Sequence, residues 1–134
     1  MRPALALLAA CVALAFAAPA AGSPTIRAIL GEWTGTLHQQ GSPAGTVSFQ
    51  IRRVGSSSPT GAVSYPGLGC QGRWTFLGLD RAGTAFRFRE VITRGASEAC
   101  KGVGIVRLTV VNGRTLAYRW TDGHLISAAT VARR

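Results

Sequence analysis

The chain of 134 residues is long enough for one domain. It carries 15 basic residues against 5 acidic ones, for a formal net charge of +10, and every basic residue except Lys101 is an arginine. Such a charge suits an anionic partner, namely a nucleic acid, a cell-wall polymer or an acidic lipid. Because the arginines of the domain are spread from Arg27 to Arg134 without a dense run, the sequence favours a solvated basic surface and argues against a nucleic-acid partner.

The N-terminus has the features of a secretory signal peptide. Arg2 is followed by an apolar run over residues 4–18 and then by small residues, with Ala18-Pro19-Ala20 as the cleavage motif. The run is short for a membrane span, which needs about 20 apolar residues, and no later segment is longer. The sequence therefore predicts a signal peptide at residues 1–22, a single domain at residues 23–134 and a secreted or extracellular protein of the cell envelope.

A second interpretation of the N-terminus is a lipid anchor. Leu8-Ala9-Ala10-Cys11 fits a lipoprotein-type cleavage site, after which Cys11 would carry the lipid. One positive charge and a very short apolar run precede Cys11, and the run continues past it. The context favours a cysteine inside a signal peptide, and the lipid anchor stays the weaker alternative.

Two cysteines follow the predicted signal peptide, Cys70 and Cys100. An even pair in an exported chain predicts a disulfide. It would close a loop of about 30 residues and contribute about 3–4 kcal/mol in the chain-entropy description. Two cysteines and two histidines without ligand spacing do not predict a zinc site, and we expect no metal and no cofactor.

The domain shows the two-residue periodicity of β-strands. Thr46 to Arg53 alternates apolar and polar side chains, and Asn112-Gly113 and Asp122-Gly123 are hairpin signals. In chain order, the predicted elements are a lead-in turn at 25–30 and strands at 31–38, 46–53, 61–65, 72–77, 85–93, 104–111, 115–121 and 125–133.

Eight strands joined by short links predict an all-β fold. All nine aromatic residues after the signal peptide occupy inward-facing positions in the alternation of their strands. Closing the sheet into a barrel removes its exposed edges. We therefore expect an eight-stranded antiparallel up-and-down barrel, with a two-sheet sandwich as the alternative. The candidate interior or pocket residues are Trp33, Tyr65, Trp74, Phe86, Phe88, Glu90, Tyr118 and Trp120.

Two short sequence patterns resemble known β-barrel families. Gly31-Glu32-Trp33 resembles the Gly-x-Trp entry of lipocalin-like barrels, in which an arginine of the last strand covers the tryptophan. That resemblance implies that Arg133 covers Trp33.

A longer pattern covers about residues 31–133. It comprises Tyr65-Pro66-x-Leu68-Gly69-Cys70-x-Gly72, Glu90-x-Ile92-Thr93-x-Gly95, Cys100, Leu116-x-Tyr118-x-Trp120 and Val131-x-Arg133. It resembles the small outer, C-terminal β domain of actinobacterial membrane serine/threonine kinases and of free-standing exported proteins. The chain has no kinase Gly-rich loop and no His-Arg-Asp motif, so the resemblance implies a sensor-like or ligand-binding barrel without kinase activity.

Glu90 is the one acidic residue with inward parity, among Phe86, Phe88 and Ile92. A buried carboxylate must be paired, hydrogen-bonded or protonated. One interpretation is a polar anchor in a ligand pocket or a general acid. The other, which we favour, is a structural carboxylate that binds backbone amides or an arginine near the barrel end.

Other polar residues do not form a convincing catalytic set. His38, Asp122 and His124 lack metal-ligand spacing, and Asp122 is better explained as a hairpin residue. Ser127 has inward parity, but no Gly-x-Ser-x-Gly motif surrounds it. The sequence therefore does not predict an enzyme.

The functional hypotheses differ in where a partner would bind. The first is an exported, non-enzymatic binding or sensing module with an unknown ligand. The second is an inhibitor of a secreted hydrolase or protease that acts through loop 39–45 or loop 94–102. The third is binding of an anionic polymer through surface arginines. The aromatic residues either fill the barrel or line a shallow pocket at its mouth.

Overall fold

The computed structural model describes residues 24–134, so the predicted signal peptide and Cys11 lie outside the described residues. No helix in the described part of the chain is long and apolar enough to cross a membrane. The elements are two 3₁₀ turns and eight strands: η1 (Ile26–Ile29), β1 (Gly31–Gln39), β2 (Gly45–Arg52), β3 (Thr60–Tyr65), η2 (Pro66–Leu68), β4 (Cys70–Leu79), β5 (Ala85–Arg94), β6 (Val103–Asn112), β7 (Thr115–Thr121) and β8 (Ile126–Arg133).

The strands form a closed antiparallel barrel in which each strand pairs with its neighbours in sequence and β1 pairs with β8. Short hairpin links allow this order, and closure pairs both sheet edges. The predicted up-and-down barrel is confirmed, and the closed sheet rules out the two-sheet alternative.

Strand β4 runs further than the predicted span of 72–77. Gly78 has a φ of +97°, and the β4–β5 register shifts between Phe76 and Gly78. A positive φ of this kind is open to glycine, so the chain forms a bulge and then pairs again up to Leu79. The sequence prediction ended the strand too early because a bulge interrupts the alternation.

The barrel interior is packed with aromatic and aliphatic side chains. Phe49, Trp74, Phe88 and Tyr118 form a central stack with ring centroids 4.7–6.2 Å apart. Phe76 packs on this cluster but is only partly buried, because it sits beside the bulge. Aromatic side chains of this size fill an eight-stranded barrel.

Two glycines leave room for indole rings. A Cβ on Gly61 would lie 2.8 Å from Cε3 of Trp74, its partner across the β3–β4 ladder. A Cβ on Gly104 would collide with the indole of Trp120. The two tryptophans can therefore lie flat against the backbone of a neighbouring strand.

One barrel end, which we call the η1 end, is formed by η1, Trp33 and Arg133. Trp33 Nε1 donates to the carbonyl oxygen of Ile29 at 3.0 Å. Arg133 Nη1 donates to Leu30 at 2.6 Å, and its guanidinium carbon lies 4.3 Å from the centroid of the Trp33 ring. Arg133 thus covers Trp33 and fixes the lead-in turn over the core.

The opposite end, which we call the disulfide end, is formed by η2, loop 95–102 and the β7–β8 turn. The predicted Cys70–Cys100 disulfide is present, with 6.6 Å between the Cα atoms. Ser97 and Cys100 exchange two backbone hydrogen bonds of 2.9 and 3.1 Å. The disulfide therefore ties a compact loop to the start of β4.

Candidate functional site

Glu90 is the centre of a buried hydrogen-bond network. It lies on β5 with only 2% of its surface exposed. Its Oε2 accepts hydrogen bonds from Tyr65 Oη and Trp74 Nε1, each at 2.7 Å. The hydroxyl groups of Tyr65 and Tyr118 are also 2.7 Å apart. The chain therefore places one carboxyl and two phenols in a single chain of short contacts inside the barrel.

Burial controls the acid–base state of this network. Desolvation raises the pKa of Glu90 above its ordinary value of 4.5, while the hydrogen bonds from Trp74 and Tyr65 and the nearby polar edge of Trp120 oppose that rise. Burial, with a smaller contribution from the nearby Glu90 charge, also raises the pKa of Tyr65 and Tyr118 well above 10. Both phenols therefore stay protonated at neutral pH and can act as hydrogen-bond donors.

The donors to Glu90 differ from those we expected. The favoured interpretation named backbone amides or an arginine, but Tyr65 and Trp74 supply the bonds. Arg133 is engaged at the η1 end with Leu30 and Ala28. The correct donor follows from register, because Trp74 lies directly opposite Glu90 in the β4–β5 ladder and a long indole reaches across.

A small cavity lies beside Glu90 at the disulfide end. Its volume is about 20 Å³, and its lining includes Glu90, Trp120, Ser127 and Cys100. Trp120 Nε1 is buried without a hydrogen-bond partner in the part of the chain that the structure describes. The cavity is large enough for about one water molecule.

This geometry does not form a ligand pocket in the barrel. Trp33, Tyr65, Trp74, Phe86, Phe88, Tyr118 and Trp120 are all buried together with Glu90 in one core. Small-molecule pockets usually measure about 300–1,000 Å³, far more than the space beside Glu90. A substrate therefore cannot reach the carboxyl in this conformation, and Glu90 contributes to the fold rather than to an open site.

The polar residues considered as a catalytic set do not assemble. Asp122 Oδ1 accepts the backbone N–H groups of His124 and Leu125, which closes the β7–β8 turn. His38 is exposed, and Ser127 is buried and donates to Gln39 at 2.7 Å. Within residues 24–134, no group of three His, Cys, Asp or Glu side chains is placed to hold a metal ion.

The barrel brings together a set of arginines that are far apart in sequence. Arg87 on β5 is directly opposite Arg107 on β6, and Arg107 is directly opposite Arg119 on β7. All three occupy outward-facing positions of their strands, and we call this set the arginine row. Sequence spacing alone did not show it, because the three positions are separated by 20 and 12 residues. These arginines become neighbours through the register of the three paired strands β5, β6 and β7.

A second outer surface is a shallow groove across β1 to β4. Its volume is about 660 Å³, and mainly uncharged side chains line it, among them Ser48, Gln50, Ser64 and Gln71. Arg73, Arg94 and Arg134 lie along it together with Glu32. We call it the β1–β4 groove.

Comparison with known proteins does not assign the chain to a family. No protein family model matches the sequence. No curated protein is significantly similar to it.

Proposed function

We propose that the protein is an exported, non-enzymatic binding module that contacts its partner with its outer surface and loops. The filled barrel interior carries this proposal, because the space beside Glu90 is only about 20 Å³ and admits no organic ligand. A module built this way uses the barrel as a rigid support for surface residues.

Two further observations support an exported role. The Cys70–Cys100 disulfide is typical of proteins that fold in an oxidising compartment. The N-terminal sequence has the pattern of a signal peptide. The resemblance to the outer domain of actinobacterial membrane kinases adds a sensing role to the proposal, since such a domain would present its outer surface to envelope components.

An NMR titration of the isotope-labelled protein would test where partners bind. We expect apolar ligands such as fatty acids to leave the indole N–H signals of Trp74 and Trp120 unchanged. Solubilised cell-envelope polymers should shift backbone amides of outward-facing residues in a saturable manner. Saturable binding of an apolar ligand with shifts of both indole signals would contradict the proposal, as would the absence of saturable shifts with every envelope fraction.

A second candidate function is inhibition of a secreted hydrolase or protease through loop 94–102. Residues 93–99 are all exposed, while Cys100 is buried in the disulfide. The hydrogen bonds between Ser97 and Cys100 and the 2.9 Å ion pair between Glu98 and Lys101 restrain the loop further. A loop held in one conformation loses less entropy when an enzyme binds it.

Enzyme inhibition assays would separate this candidate from the first. The inhibitor hypothesis expects inhibition at micromolar concentration or below against at least one secreted hydrolase, and loss of inhibition after reduction of the disulfide. A variant with the loop tip changed, Ser97→Ala with Glu98→Ala, should lose inhibition, whereas Ser56→Ala with Ser58→Ala in the exposed β2–β3 loop should keep it. Equal inhibition by both variants would rule out loop 94–102.

A further inference from the structure

The arginine row places like charges where a folded domain ordinarily avoids them. Directly opposite residues of an antiparallel pair have Cβ atoms about 4.5–5.5 Å apart, and like charges at such positions are destabilising. Arg87, Arg107 and Arg119 occupy two such pairs in succession. Arg89 lies two positions along β5 from Arg87 and shares its outer face. Such a concentration of positive charge needs a physical explanation.

The surrounding carboxylates do not neutralise the row. Asp80 Oδ2 lies 2.6 Å from Arg107 Nη2 and is the one acidic side chain in an ion pair with the row among residues 24–134. Arg87 Nη2 donates only a long bond of 3.4 Å to Leu77, and its Nε is buried without a partner in the described chain. Neither of the two ion pairs found among residues 24–134 involves Arg119.

Two arginines of the row, Arg87 and Arg107, also line an open groove. Its volume is about 580 Å³, and it is lined by Leu79, Asp80, Arg81, Ala82, Arg87 and Arg107. Three arginines and one aspartate give it a net positive charge. Groove and row together form a continuous basic surface that runs from the β4–β5 turn across β5, β6 and β7.

We infer that the arginine row binds a linear polymer of phosphate groups that carries no aromatic bases. The inference rests on the proposed function and names the class of partner for the outer surface. The guanidinium group presents a planar fork of N–H donors that matches phosphate oxygens in a bidentate manner. Neighbouring strands are about 4.8 Å apart, so the row offers charges at a regular spacing across the strands to a chain with repeated anionic groups.

The absence of stacking platforms argues for a polymer without bases. Proteins that bind single-stranded nucleic acid stack the bases on exposed aromatic rings, each worth about 1–3 kcal/mol. Within residues 24–134, no aromatic side chain is exposed, since eight are buried and Phe76 is partly buried in the core. The exposed large apolar residues of the described chain are aliphatic. Nucleic acid would therefore gain only phosphate contacts here.

Direct binding to inorganic polyphosphate tests the inference. Fluorescence anisotropy with labelled polyphosphate at low salt should give saturable binding. Arg107→Gln with Arg119→Gln should weaken it by about tenfold or more and reduce the slope of log K against log salt by about two, one for each contact. Both residues are exposed, so the fold should survive. The matched control, Arg73→Gln with Arg94→Gln, makes the same charge change at the β1–β4 groove and should leave at least half the affinity.

A gain of affinity provides a second, independent readout. Asp80 Oδ1 accepts the backbone N–H groups of Thr84 and Ala85, while Oδ2 faces Arg107. Asp80→Asn keeps a side-chain oxygen that can accept the two backbone N–H groups of the β4–β5 turn. It removes the negative charge that neutralises Arg107. We expect it to bind polyphosphate about two- to fivefold more tightly at low salt, with the gain lost at high salt because screening weakens exposed charges.

Several outcomes would overturn the inference. The first is that polyphosphate shows no saturable binding at low salt. The second is that both double variants lose the same affinity, and the third is that only the control variant, Arg73→Gln with Arg94→Gln, loses affinity. Tighter binding of single-stranded DNA than of polyphosphate at equal charge would contradict the inference that the partner is a polymer without bases. If polyphosphate fails to bind while envelope fractions shift surface amides elsewhere in the NMR titration, the proposed function stands and this partner class does not.

Discussion

At the η1 end, Trp33 Nε1 and the Arg133 guanidinium donate to backbone carbonyl oxygens of the lead-in segment, and Ile29 is fully buried beneath them. At the disulfide end, a carboxyl, an unpaired indole N–H and a cavity of about 20 Å³ lie under a loop held by Cys100. The first end is closed by satisfied hydrogen bonds, and the second by a covalent link. The comparison indicates that the η1 end depends on hydrogen bonds from side chains to the backbone, whereas the disulfide end depends on the Cys70–Cys100 link.

Removing Trp33 should have the largest effect because it opens the η1 end. Trp33→Ala leaves a large cavity and takes away the surface on which Arg133 lies, so we expect a loss of about 3–5 kcal/mol in the free energy of unfolding. Urea denaturation measures the change. Arg119→Ala, on the exposed outer face, should change stability by less than about 0.5 kcal/mol and serves as the control. A loss under 1 kcal/mol for Trp33→Ala would show that this end is not a closed core.

Breaking the disulfide should loosen the other end by nearly as much. Cys70→Ser with Cys100→Ser frees a loop of 30 residues, for which we expect a loss of about 3–4 kcal/mol. Hydrogen exchange should quicken at loop 95–102 and around Glu90. The amides of η1 and of residues 31–34 in β1 should exchange at rates set by global stability alone. Equal acceleration at both ends after correction for global stability would contradict the division between them.

The alternation of apolar and polar residues predicted which segments are strands and which side chains face inward. It did not predict which residues lie opposite each other on neighbouring strands. The predicted strand 115–121 agrees with the structure at both ends because a hairpin signal flanks each side. The partner of Arg107 depends on a bulge between Val110 and Asn112. Extending the Asn112–Thr115 pairing without that shift would place Arg107 opposite Trp120. The Arg107–Arg119 pair of the arginine row therefore depends on one irregular residue that the alternation does not show.

The same limit applies to Glu90. Its inward position follows from its parity with Phe88 and Ile92, and the structure buries it. Its donors depend on the β4–β5 register and on the approach of Tyr65 from β3, which involve contacts 16 and 25 residues away. Single-sequence periodicity places a side chain on a face but does not determine its neighbour.

Two tryptophans near Glu90 allow a matched test of hydrogen bonding. Trp74 Nε1 donates to Glu90, whereas Trp120 Nε1 has no partner among the described residues. Trp74→Phe and Trp120→Phe each replace an indole with a phenyl ring. Because leaving a buried acceptor without its donor costs about 1–3 kcal/mol, we expect Trp74→Phe to cost that much more than Trp120→Phe in urea denaturation. Equal losses would show that Trp120 also has a partner, for which a buried water is the candidate.

The smallest expected effect concerns the charge of Glu90 at the disulfide end. Burial favours the uncharged acid in the folded state and raises the pKa of Glu90 above 4.5. The protonated group therefore contributes fully to stability below the unfolded pKa, and that contribution falls as pH rises through the folded pKa. Glu90→Gln keeps an oxygen that can accept from Tyr65 and Trp74 but removes the ionisation.

We therefore expect the unfolding free energy of the wild-type protein to fall relative to Glu90→Gln between about pH 4.5 and the raised pKa. The slope of that difference should not exceed about 1.4 kcal/mol per pH unit, the limit for one proton. Urea denaturation of both proteins across about pH 3–9 measures the difference, and the region below about pH 3.5 is the internal control, because Glu90 is almost entirely neutral there in both states. A difference that is independent of pH, or that changes in favour of the wild-type protein as pH rises, would show that the hydrogen bonds from Tyr65 and Trp74 outweigh desolvation and hold Glu90 as a carboxylate.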